Sequence, residues 1–278
     1  VVFSTSGPGA TNLVTGIATA YMDSVPLVAI TANVATSLLG RDSFQEVFIA
    51  GITMPITKHN FVVRHVEDLA DTLRSAFAIA ESGRKGPVLV DIPKDITAAK
   101  TEFSHKTIET YVATKPDYRN LENVAKLINN AERPVIYFGG GVRLSDAGDT
   151  LRSMINLADI PAAYTIMAAG VLSYNEHNNL GLIGMHGCRT ANLAVDNADV
   201  VIAIGTRFSD RVALNTMAFA QRAKIVHIDI DPSEINKNVN IDYSITGDVN
   251  DVLTKLLPLI KPAQHVDWQA QINEWQKS

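Results

Sequence analysis

Short apolar runs that alternate with helix-period segments constrain the fold of this chain more than any other feature. Residues 1–4, 26–31 and 87–92 are strand-sized apolar runs, and each is followed by a polar or glycine-containing turn. Residues 67–82 place apolar side chains at helical spacing, begin with two acidic residues and end before a glycine. This strand–helix–strand alternation predicts a parallel sheet that carries helices on both faces.

A second α/β pattern follows a polar stretch that has no hydrophobic period. It contains apolar runs at 134–138, 199–204 and 224–230, and a final helix over 249–260 for which Asp248 suits the N-cap. We therefore predict an α/β protein with two doubly wound parallel-sheet domains. The predicted parts are domains at 1–100 and 119–262, a linker at 101–118 and the start of another linker at 263–278. Because residue 1 is not methionine and the last segment has no stop signal, we expect an internal piece of a longer protein.

The composition excludes several classes of protein. The net charge is −5 at pH 7 and the Lys and Arg residues are scattered, so we expect no nucleic-acid partner. The longest apolar runs have the length of strands, so we expect no membrane span. The single cysteine, Cys188, rules out an intramolecular disulfide and fits a reducing, cytoplasmic compartment.

Three segments of the first domain lie where strands end, which is where open parallel sheets bind ligands. They are SGPGATN at 6–12, Thr31-Ala32-Asn33, and Pro93-Lys94-Asp95. The glycines allow close backbone approach, so the first segment suits a ligand, although a plain βα turn explains it equally well. Lys94 has two interpretations: an ammonium that attracts substrate carboxylates, or a solvated lysine paired with Asp95.

Two further segments of this domain also have two interpretations. Gln45, in the loop sequence Phe44-Gln45-Glu46, has an amide that can hydrogen-bond a carbonyl or an aminopyrimidine. A solvated loop residue is the simpler interpretation. Arg84 and Lys85 follow a predicted helix, where basic side chains complement the helix dipole without any ligand.

The second domain offers a set of residues that suits a dinucleotide. The candidate positions are Gly184-Met185-His186-Gly187, Gly205-Thr206-Arg207, and the alternating residues Ile225, His227, Asp229 and Asp231. The first precedes a helix predicted over 189–197, and free amides there suit a pyrophosphate. An acid at a strand end, such as Asp229, suits the hydroxyls of a ribose. The assignment stays open, because the turn at 139–141 is not a GxGxxG fingerprint and because His186 and His227 also fit a structural role.

Six motifs in register make the sequence recognisable as a whole. They are SGPGATN, the FQE loop, SGRKGPVLVDIPKD, GMHG, GTRFSDR, and HIDIDPSEIN followed ten residues later by GD. Over nearly all of its length the chain resembles the catalytic subunits of acetolactate synthases, which are thiamine-diphosphate enzymes. The GMHG, RFSDR and PKD elements resemble the flavin-containing biosynthetic members more than the flavin-free catabolic ones.

The resemblance implies a fold, cofactors and a reaction. The first domain would be part of the N-terminal, pyrimidine-binding domain, and the second a Rossmann-like central domain that binds FAD. The reaction would decarboxylate pyruvate on thiamine diphosphate and condense the enamine with a second pyruvate or 2-oxobutyrate. This is the first common step of valine, leucine and isoleucine biosynthesis. Mg²⁺ would be held by a C-terminal pyrophosphate-binding domain outside this sequence.

The resemblance also implies roles for individual residues. Phe44, Gln45 and Lys94 would be the catalytic residues, and Met185 and Asp210 would line the substrate channel. The residues that would bind cofactors are Gly7, Gly9, Asn12, Arg84, His186, Gly187, Gly205, Arg207, Asp229, Gly247 and Asp248. The family's essential glutamate and metal motif have no counterpart in this sequence. We therefore assign no metal ligand and expect the isolated chain to be inactive.

The resemblance further implies a homodimer or homotetramer with active sites between subunits, a small regulatory subunit as a partner, and a bacterial, cytoplasmic location. Two alternatives stay open. A different thiamine-diphosphate carboligase or decarboxylase would share the fold, although the pairing of GMHG with RFSDR argues against a decarboxylase. A non-catalytic nucleotide-binding module is the other alternative. A glutamate upstream and a GDG…N motif downstream in a longer reading frame would favour the enzyme.

Overall fold

The chain forms two compact units, Val1–Ala113 and Thr114–Ser278, in the computed structural model. The structure describes residues 1–106 and 115–277. Each unit is built around an all-parallel sheet, which confirms the predicted fold class. Residues 107–114 of the predicted linker at 101–118 lie outside the described residues. Within the described part of the chain, every helix is too short or too polar to cross a membrane.

The first unit has a four-stranded sheet with the strand order β1-β2-β4-β3 in its described residues. Its strands are β1 (Val2–Ser4), β2 (Leu27–Asn33), β3 (His59–Val62) and β4 (Pro87–Pro93). Its helices are α1 (Pro8–Asn12), α2 (Val14–Met22), α3 (Ile49–Thr53), α4 (Leu69–Glu81) and α5 (Lys94–Ala98), with 3₁₀ turns at Thr36–Leu38, Met54–Ile56 and Val66–Asp68. All of β4 is buried, as expected for a strand that has neighbours on both sides and is covered on both faces.

Helix α4 shows how sequence spacing covers this sheet. Its buried residues Ala76 and Ala80 belong to the same apolar cluster as Val88 and Val90 of β4. The spacing also predicts a buried Phe77, and this prediction is wrong because the side chain is 40% exposed. Position 77 lies at the margin of the stripe that positions 73, 76 and 80 define, so its ring extends past the sheet.

The second unit has a six-stranded sheet with the order β10-β9-β8-β5-β6-β7 in its described residues. Its strands are β5 (Pro134–Phe138), β6 (Ala162–Tyr164), β7 (Asn179–Leu182), β8 (Val200–Ile204), β9 (Lys224–Asp229) and β10 (Tyr243–Thr246). Its helices are α6 (Leu121–Asn129), α7 (Gly140–Leu144), α8 (Gly148–Ala158), α9 (Arg189–Asn197), α10 (Val249–Leu256) and α11 (Val266–Lys277), with 3₁₀ turns at Ile166–Ala168, Pro232–Glu234 and Leu257–Leu259. The chain runs from β5 to one edge and then returns to β8, so the strand order reverses between β5 and β8.

The two faces of this sheet form two separate apolar clusters. Ile202 and Ile204 of β8 belong to one cluster, and Val201 and Ala203 belong to the other. The same alternation holds in β9, where Ile225 joins the second cluster and Val226 the first. Side chains of a strand point alternately to opposite faces, so each apolar strand supplies both cores.

Helix α11 packs on the second unit. Trp268 is 4% exposed and Ile272 is 1% exposed, and the indole N–H of Trp268 donates to the carbonyl oxygen of Pro134 at 3.1 Å. The amide of Gln269 donates to the side-chain oxygen of Asn178 at 2.6 Å. Residues 263–278, which we predict to begin an interdomain linker, thus contain a helix that contributes to this core. The prediction of a linker did not foresee that α11 packs on the second unit.

Candidate functional site

The segment SGPGATN starts as the turn after β1 and continues into α1. Gly7 has φ +55°, and a Cβ at this position would lie 2.7 Å from the carbonyl oxygen of Gln45. A side chain is therefore excluded at position 7 both by the backbone conformation and by the neighbouring loop. Two motifs that are well separated in the sequence meet here. Gly9 lies in the first turn of α1, and Asn12 is exposed at its end.

The loop that carries Phe44 and Gln45 presents both side chains to solvent. Phe44 is 89% exposed, and Gln45 has φ +59°, which is unusual for a residue other than glycine. Glu46 holds this loop together: its carboxylate accepts backbone N–H groups from Gly40, from Ser43 at 3.1 Å and from Arg41 at 3.3 Å. The N–H of Gly40 first, then those of Ser43 and Arg41, lower the pKa of Glu46. Glu46 was not among the site residues predicted from the sequence.

A buried carboxylate joins the carboxyl ends of β2 and β4. Asp91 is 2% exposed, and it accepts hydrogen bonds from the Thr31 hydroxyl at 2.7 Å and from the Asn33 amide at 2.6 Å. The Asn33 side-chain oxygen accepts in turn from the backbone N–H of Val34 at 2.8 Å. Burial raises the pKa of Asp91, and the two hydrogen bonds oppose that effect. A charged residue inside an apolar strand is the sequence signal for this network, and Asp91 was not singled out from it.

Lys94 is the first residue of α5 and is exposed. Asp95 does not pair with it, because the Asp95 carboxylate accepts from the Thr36 backbone N–H at 2.9 Å and also from the Thr36 hydroxyl. These bonds, the hydroxyl first, lower the pKa of Asp95. The alternative of a Lys94–Asp95 surface ion pair is therefore wrong. The ammonium lies beside the carboxyl ends of β2 and β4, where we expected a ligand to bind.

The turn after α4 carries Arg84, whose guanidinium Nε donates to the Ser24 hydroxyl at 3.0 Å. Lys58 reaches the end of the same helix and donates to the backbone carbonyls of Ile79 and Ser82, the latter at 2.6 Å. Burial lowers the pKa of Lys58 to about 8. Lys58 therefore has a helix-terminal role of the kind that the sequence suggested for Arg84 and Lys85.

In the second unit, two glycine loops meet at the point where the strand order reverses. The backbone N–H of Gly141 donates to the carbonyl oxygen of Gly205 at 2.9 Å, and that of Gly139 donates to Ile204 at 3.0 Å. A Cβ on Gly141 would lie 2.6 Å from the Gly205 Cα, so no side chain fits between these loops. Nucleotides bind outside the strand ends at such reversal points in open α/β sheets.

The GMHG turn packs on the segment that contains Asp210. The Met185 backbone N–H donates to the carbonyl oxygen of Arg211 at 2.8 Å, and the Arg211 guanidinium lies 3.8 Å from the Met185 sulfur. Asn192 of α9 fixes the turn, because its side chain accepts from the Gly184 N–H at 2.9 Å and donates to the Gly184 carbonyl at 3.0 Å. The structure thus brings the predicted channel residue Met185 next to the segment of Asp210. Met185 and Arg211 help to line a cavity of about 490 Å³, and Asp210 is the residue before Arg211.

The free amides expected at the start of α9 are in part already used. The N–H of Gly187 donates to the Gly184 carbonyl at 2.9 Å, and that of Cys188 donates to Leu182 at 2.7 Å. These two N–H groups form hydrogen bonds within the turn. An anion at this helix end could therefore bind only the N–H groups that follow them in the first turn of α9. His186 is exposed, so it is not a buried structural histidine.

The acidic and basic candidates of the second unit have different surroundings. Asp229 is 8% exposed and accepts from the Asp231 backbone N–H at 2.9 Å. Asp248 accepts from the backbone N–H groups at positions 250 and 251, which confirms its N-cap position and occupies its carboxylate. Gly247 donates through its N–H to the Asp229 carbonyl at 2.9 Å. Arg207 follows the Gly205 loop and is half-buried. Its backbone carbonyl accepts a hydrogen bond from the Tyr137 hydroxyl at 2.9 Å.

His227 is a buried histidine with one ring nitrogen in use. Its Nε2 lies 2.9 Å from the carbonyl oxygen of Thr206, while its Nδ1 has no partner within the described residues. The ring packs edge-on against Phe208, with ring centroids 5.1 Å apart. Because its ring supports the segment from Thr206 to Phe208, the structural interpretation of His227 fits better than direct ligand contact.

Comparison with known protein families separates the two units in the same way as the structure does. The N-terminal TPP binding domain of thiamine pyrophosphate enzymes matches residues 1–52, and their central domain matches residues 121–256. The chain belongs to the thiamine pyrophosphate enzymes. This family membership confirms the resemblance that the motifs indicated.

Several thiamine pyrophosphate enzymes are similar to the chain over its whole length. The chain is 48% identical to the acetolactate synthase of Mycobacterium leprae over 99% of its own residues and 44% of that protein. It is 43% identical to the acetolactate synthase large subunit of Porphyra purpurea, and 46% identical to the probable acetolactate synthase large subunit of Methanocaldococcus jannaschii. Both of these matches cover 100% of the chain and 49% of the relative. The chain therefore spans about half the length of the curated relatives it matches.

The candidate residues of this thiamine pyrophosphate enzyme chain form one group in each unit, with Arg84 as the exception. In the first unit, Gly7, Gln45 and Lys94 lie at the carboxyl edge of the sheet. Arg84 and its partner Ser24 precede β4 and β2, so they lie at the opposite edge. In the second unit, the segments of Met185 and Asp210 meet, and the other candidates lie at or after the carboxyl ends of strands; these are His186, Gly187, Gly205, Arg207, Asp229, Gly247 and Asp248. Sequence reasoning missed the residues that hold these groups in place, which are Glu46, Asp91 and Asn192. Asn192 has no sequence signal, since it lies on the exposed side of α9.

Proposed function

We propose that this chain is part of an acetolactate synthase large subunit. The complete protein would decarboxylate pyruvate and join the two-carbon unit to a second pyruvate or to 2-oxobutyrate. The observation that carries the proposal is the contact between Gly7 and Gln45, which joins two of the six motifs in a chain 43–48% identical to proteins of that name. Branched-chain amino-acid biosynthesis is the role of that enzyme.

Three side chains of the first unit would act on the substrate. Phe44 and Gln45 are exposed on a loop whose backbone is fixed, so their side chains can face a substrate without reorganising the loop. The amide of Gln45 would hydrogen-bond a substrate carbonyl or an aminopyrimidine. The Lys94 ammonium, with which Asp95 does not pair, would attract the carboxylate of a 2-oxo acid. The Phe44 ring would help to exclude water from the bound substrate.

The family supports thiamine diphosphate as the cofactor. When bound, it would supply the electron sink that decarboxylation of a 2-oxo acid requires. The first unit fits part of that cofactor, because the SGPGATN segment and Gln45 meet at the carboxyl edge of the sheet, where open parallel sheets bind ligands. Mg²⁺ does not fit the described residues, since no group of three or more His, Cys, Asp or Glu residues among them could hold a metal.

FAD would bind at the carboxyl edge of the second sheet. The backbone turns at Gly187, Gly205 and Gly247 carry no side chains, as the close approach of a dinucleotide requires. Asp229 and Arg207 lie at this edge, and His186 is exposed beside it. Asp248 would contribute through its backbone, because its carboxylate already caps α10. The assignment of Arg84 to FAD stays a prediction of the family pattern.

The assembly stays a proposal of the same kind. Pyruvate is the substrate that the family implies, whereas a homodimer or homotetramer and a small regulatory subunit follow only from the resemblance. The chain by itself is expected to be inactive, because the family's glutamate and metal motif are not in its sequence.

Product analysis tests the proposed function. A subunit-length protein that contains this chain is incubated with pyruvate, thiamine diphosphate, Mg²⁺ and FAD, and the 278-residue chain is treated in parallel. We expect acetolactate from the long protein and none above background from the short one. If acetaldehyde is the main product, the result would favour a decarboxylase over the proposed synthase. If the long protein binds FAD but turns over no 2-oxo acid, the result would favour the alternative of a non-catalytic nucleotide-binding module.

A further inference from the structure

We propose that Glu46 is the positioning residue of the substrate-facing loop: its carboxylate binds the loop's own backbone N–H groups and so fixes where Phe44 and Gln45 lie. This inference rests on the proposed function insofar as Phe44 and Gln45 act on the substrate. It assigns the third residue of the FQE loop a role that neither the motif nor the comparisons supply. The loop in question lies between Leu39 and Val47.

This loop has a backbone that is unfavourable in isolation. Gly40, Asp42 and Gln45 have φ values of +75°, +55° and +59°. Two of these residues carry a Cβ, and such residues are unfavourable in the left-handed region unless other contacts compensate. Helices and strands do not supply those contacts, because residues 40–47 form neither. Some local interaction must therefore stabilise the loop.

Glu46 supplies that interaction. One carboxylate oxygen accepts the N–H of Gly40, and the other accepts the N–H groups of Ser43 and Arg41 at 3.1 and 3.3 Å. The backbone N–H of Glu46 itself donates to the Ser43 carbonyl at 2.9 Å, and the Ser43 hydroxyl donates to Leu38 at 3.0 Å. Hydrogen bonds to an ionised acceptor are about twice as strong as neutral ones. The loop on both sides of the Phe44 side chain is thus tied to one anchor.

The anchor also fixes the contact with the SGPGATN turn. Gln45 is the residue directly before Glu46, and its carbonyl oxygen faces Gly7, where a Cβ would come within 2.7 Å. A small displacement of Gln45 would close or open that contact. Glu46 therefore acts through its neighbour and does not need to touch the substrate. The lowered pKa of Glu46, caused first by the Gly40 N–H, agrees with an ionised anchor at neutral pH.

Amide hydrogen exchange tests the anchor without any assay of activity. The 278-residue chain is compared with Glu46→Gln, which keeps the side-chain shape, and with Glu67→Gln, which makes the same charge change at an exposed site. We expect exchange of the Gly40 and Ser43 amides to accelerate at least about tenfold in Glu46→Gln only. Circular dichroism melting shows that each variant is folded. Unchanged exchange at both amides in a folded Glu46→Gln would overturn the proposal.

A double-mutant cycle tests whether the anchor acts through Gln45. In the subunit-length protein, Glu46→Gln should lower kcat/KM for pyruvate about tenfold, whereas Glu67→Gln should leave it unchanged. In a Gln45→Ala background the same change should cost clearly less than tenfold, because one of the two residues that Glu46 positions is gone and only Phe44 remains. Fully additive losses would show that Glu46 acts elsewhere and would overturn the positioning role. If the wild-type protein makes no acetolactate, the proposed function fails, and the exchange result alone then decides the anchor.

Discussion

The carboxyl edges of the two sheets are held together by different chemistry. At the first edge, side-chain carboxylates make the connections. Glu46 accepts backbone N–H groups of its own loop, and Asp91 accepts hydrogen bonds from the side chains of Thr31 and Asn33. Asp95 accepts from the backbone N–H of Thr36. At the second edge the loops meet through backbone, as in the contact between the glycines at 141 and 205. Both arrangements place loops at strand ends, but they make different demands on the sequence.

The difference teaches which changes each edge can tolerate. A carboxylate network depends on charge and hydrogen-bonding groups, so it should respond to isosteric changes that leave the shape intact. A backbone contact has no titratable group, so it should respond to any added atom and to little else. The first edge faces small charged substrates in the proposed function, whereas the second would face a large dinucleotide that needs close backbone approach.

The largest expected effect is at the second edge. Gly141→Ala places a Cβ 2.6 Å from the Gly205 Cα, which must push the two loops apart. We expect the free energy of unfolding of the second unit to fall by about 2–3 kcal/mol. Gly148→Ala is the matched control, because its Cβ would lie 3.6 Å from the nearest atom, on Val171, at ordinary contact distance. Urea titration by circular dichroism measures both. Equal stability of the two variants would contradict the backbone contact.

A smaller effect is expected at the first edge. Asp91→Asn leaves the shape of the buried network but sets its new amide against the Asn33 amide. Two donors without an acceptor should cost about 1–2 kcal/mol of unfolding free energy. The double variant Asn33→Asp with Asp91→Asn reverses the bond, and a carboxylate at position 33 can still accept from Val34. Recovery of at least half the loss would confirm the pairing, and an additive loss in the double variant would refute it.

Substitution of Lys94 tests whether its ammonium, at the first edge, binds the substrate carboxylate. In the subunit-length protein, Lys94→Ala should lower kcat/KM for pyruvate at least about tenfold, or about 1.4 kcal/mol, with the fold and flavin content unchanged. Lys94→Arg should retain part of the activity because it keeps the charge. Lys100→Ala, another exposed lysine of the same unit, is the control. Wild-type kinetics in Lys94→Ala would remove Lys94 from the site.

The smallest effect concerns pH. The folded-state pKa of Lys58 is about 8, below its ordinary value of 10.5. Between these two values the unfolded chain binds a proton that the folded chain has lost, so this group makes stability rise with pH across that window. Comparing Lys58→Met with wild type removes the contribution of the other titrating groups. We expect the wild type to gain stability relative to Lys58→Met as the pH rises through this window, and a constant difference would contradict the lowered pKa.

The fold was predictable wherever apolar runs were long and clearly bounded. Helix α9 begins and ends where the sequence predicts, and β4, β5, β8 and β9 follow the apolar runs. Strands β3 and β7 were missed because each lies at an edge of its sheet and contains polar or glycine residues. Strand β6 was missed because it is only three residues long. Short strands get their stability from their neighbours rather than from their own sequence.

The site was predictable in its motifs but not in its supporting bonds. Gly7 could be named because it belongs to a glycine-containing segment after a strand, whereas Gln45 was named through the resemblance to the family. The bonds of Glu46 depend on how far its loop folds back, and those of Asp91 and Asn192 depend on which strand or turn comes to lie beside them. Sequence spacing does not determine that distance for an irregular loop. The positions that support a site were therefore harder to find than those that form it.

The docking of α11 has a spectroscopic consequence. The chain contains two tryptophans, Trp268 and Trp275, and both lie in this helix with ring centroids 5.6 Å apart. Trp268 is buried against the second sheet, so intrinsic fluorescence of the whole chain reports the environment of a single helix on one unit. A fluorescence unfolding curve would follow Gly141→Ala directly, and it would respond to Asp91→Asn only if the two units unfold together. Comparing that curve with circular dichroism would show whether the two units unfold together or one after the other.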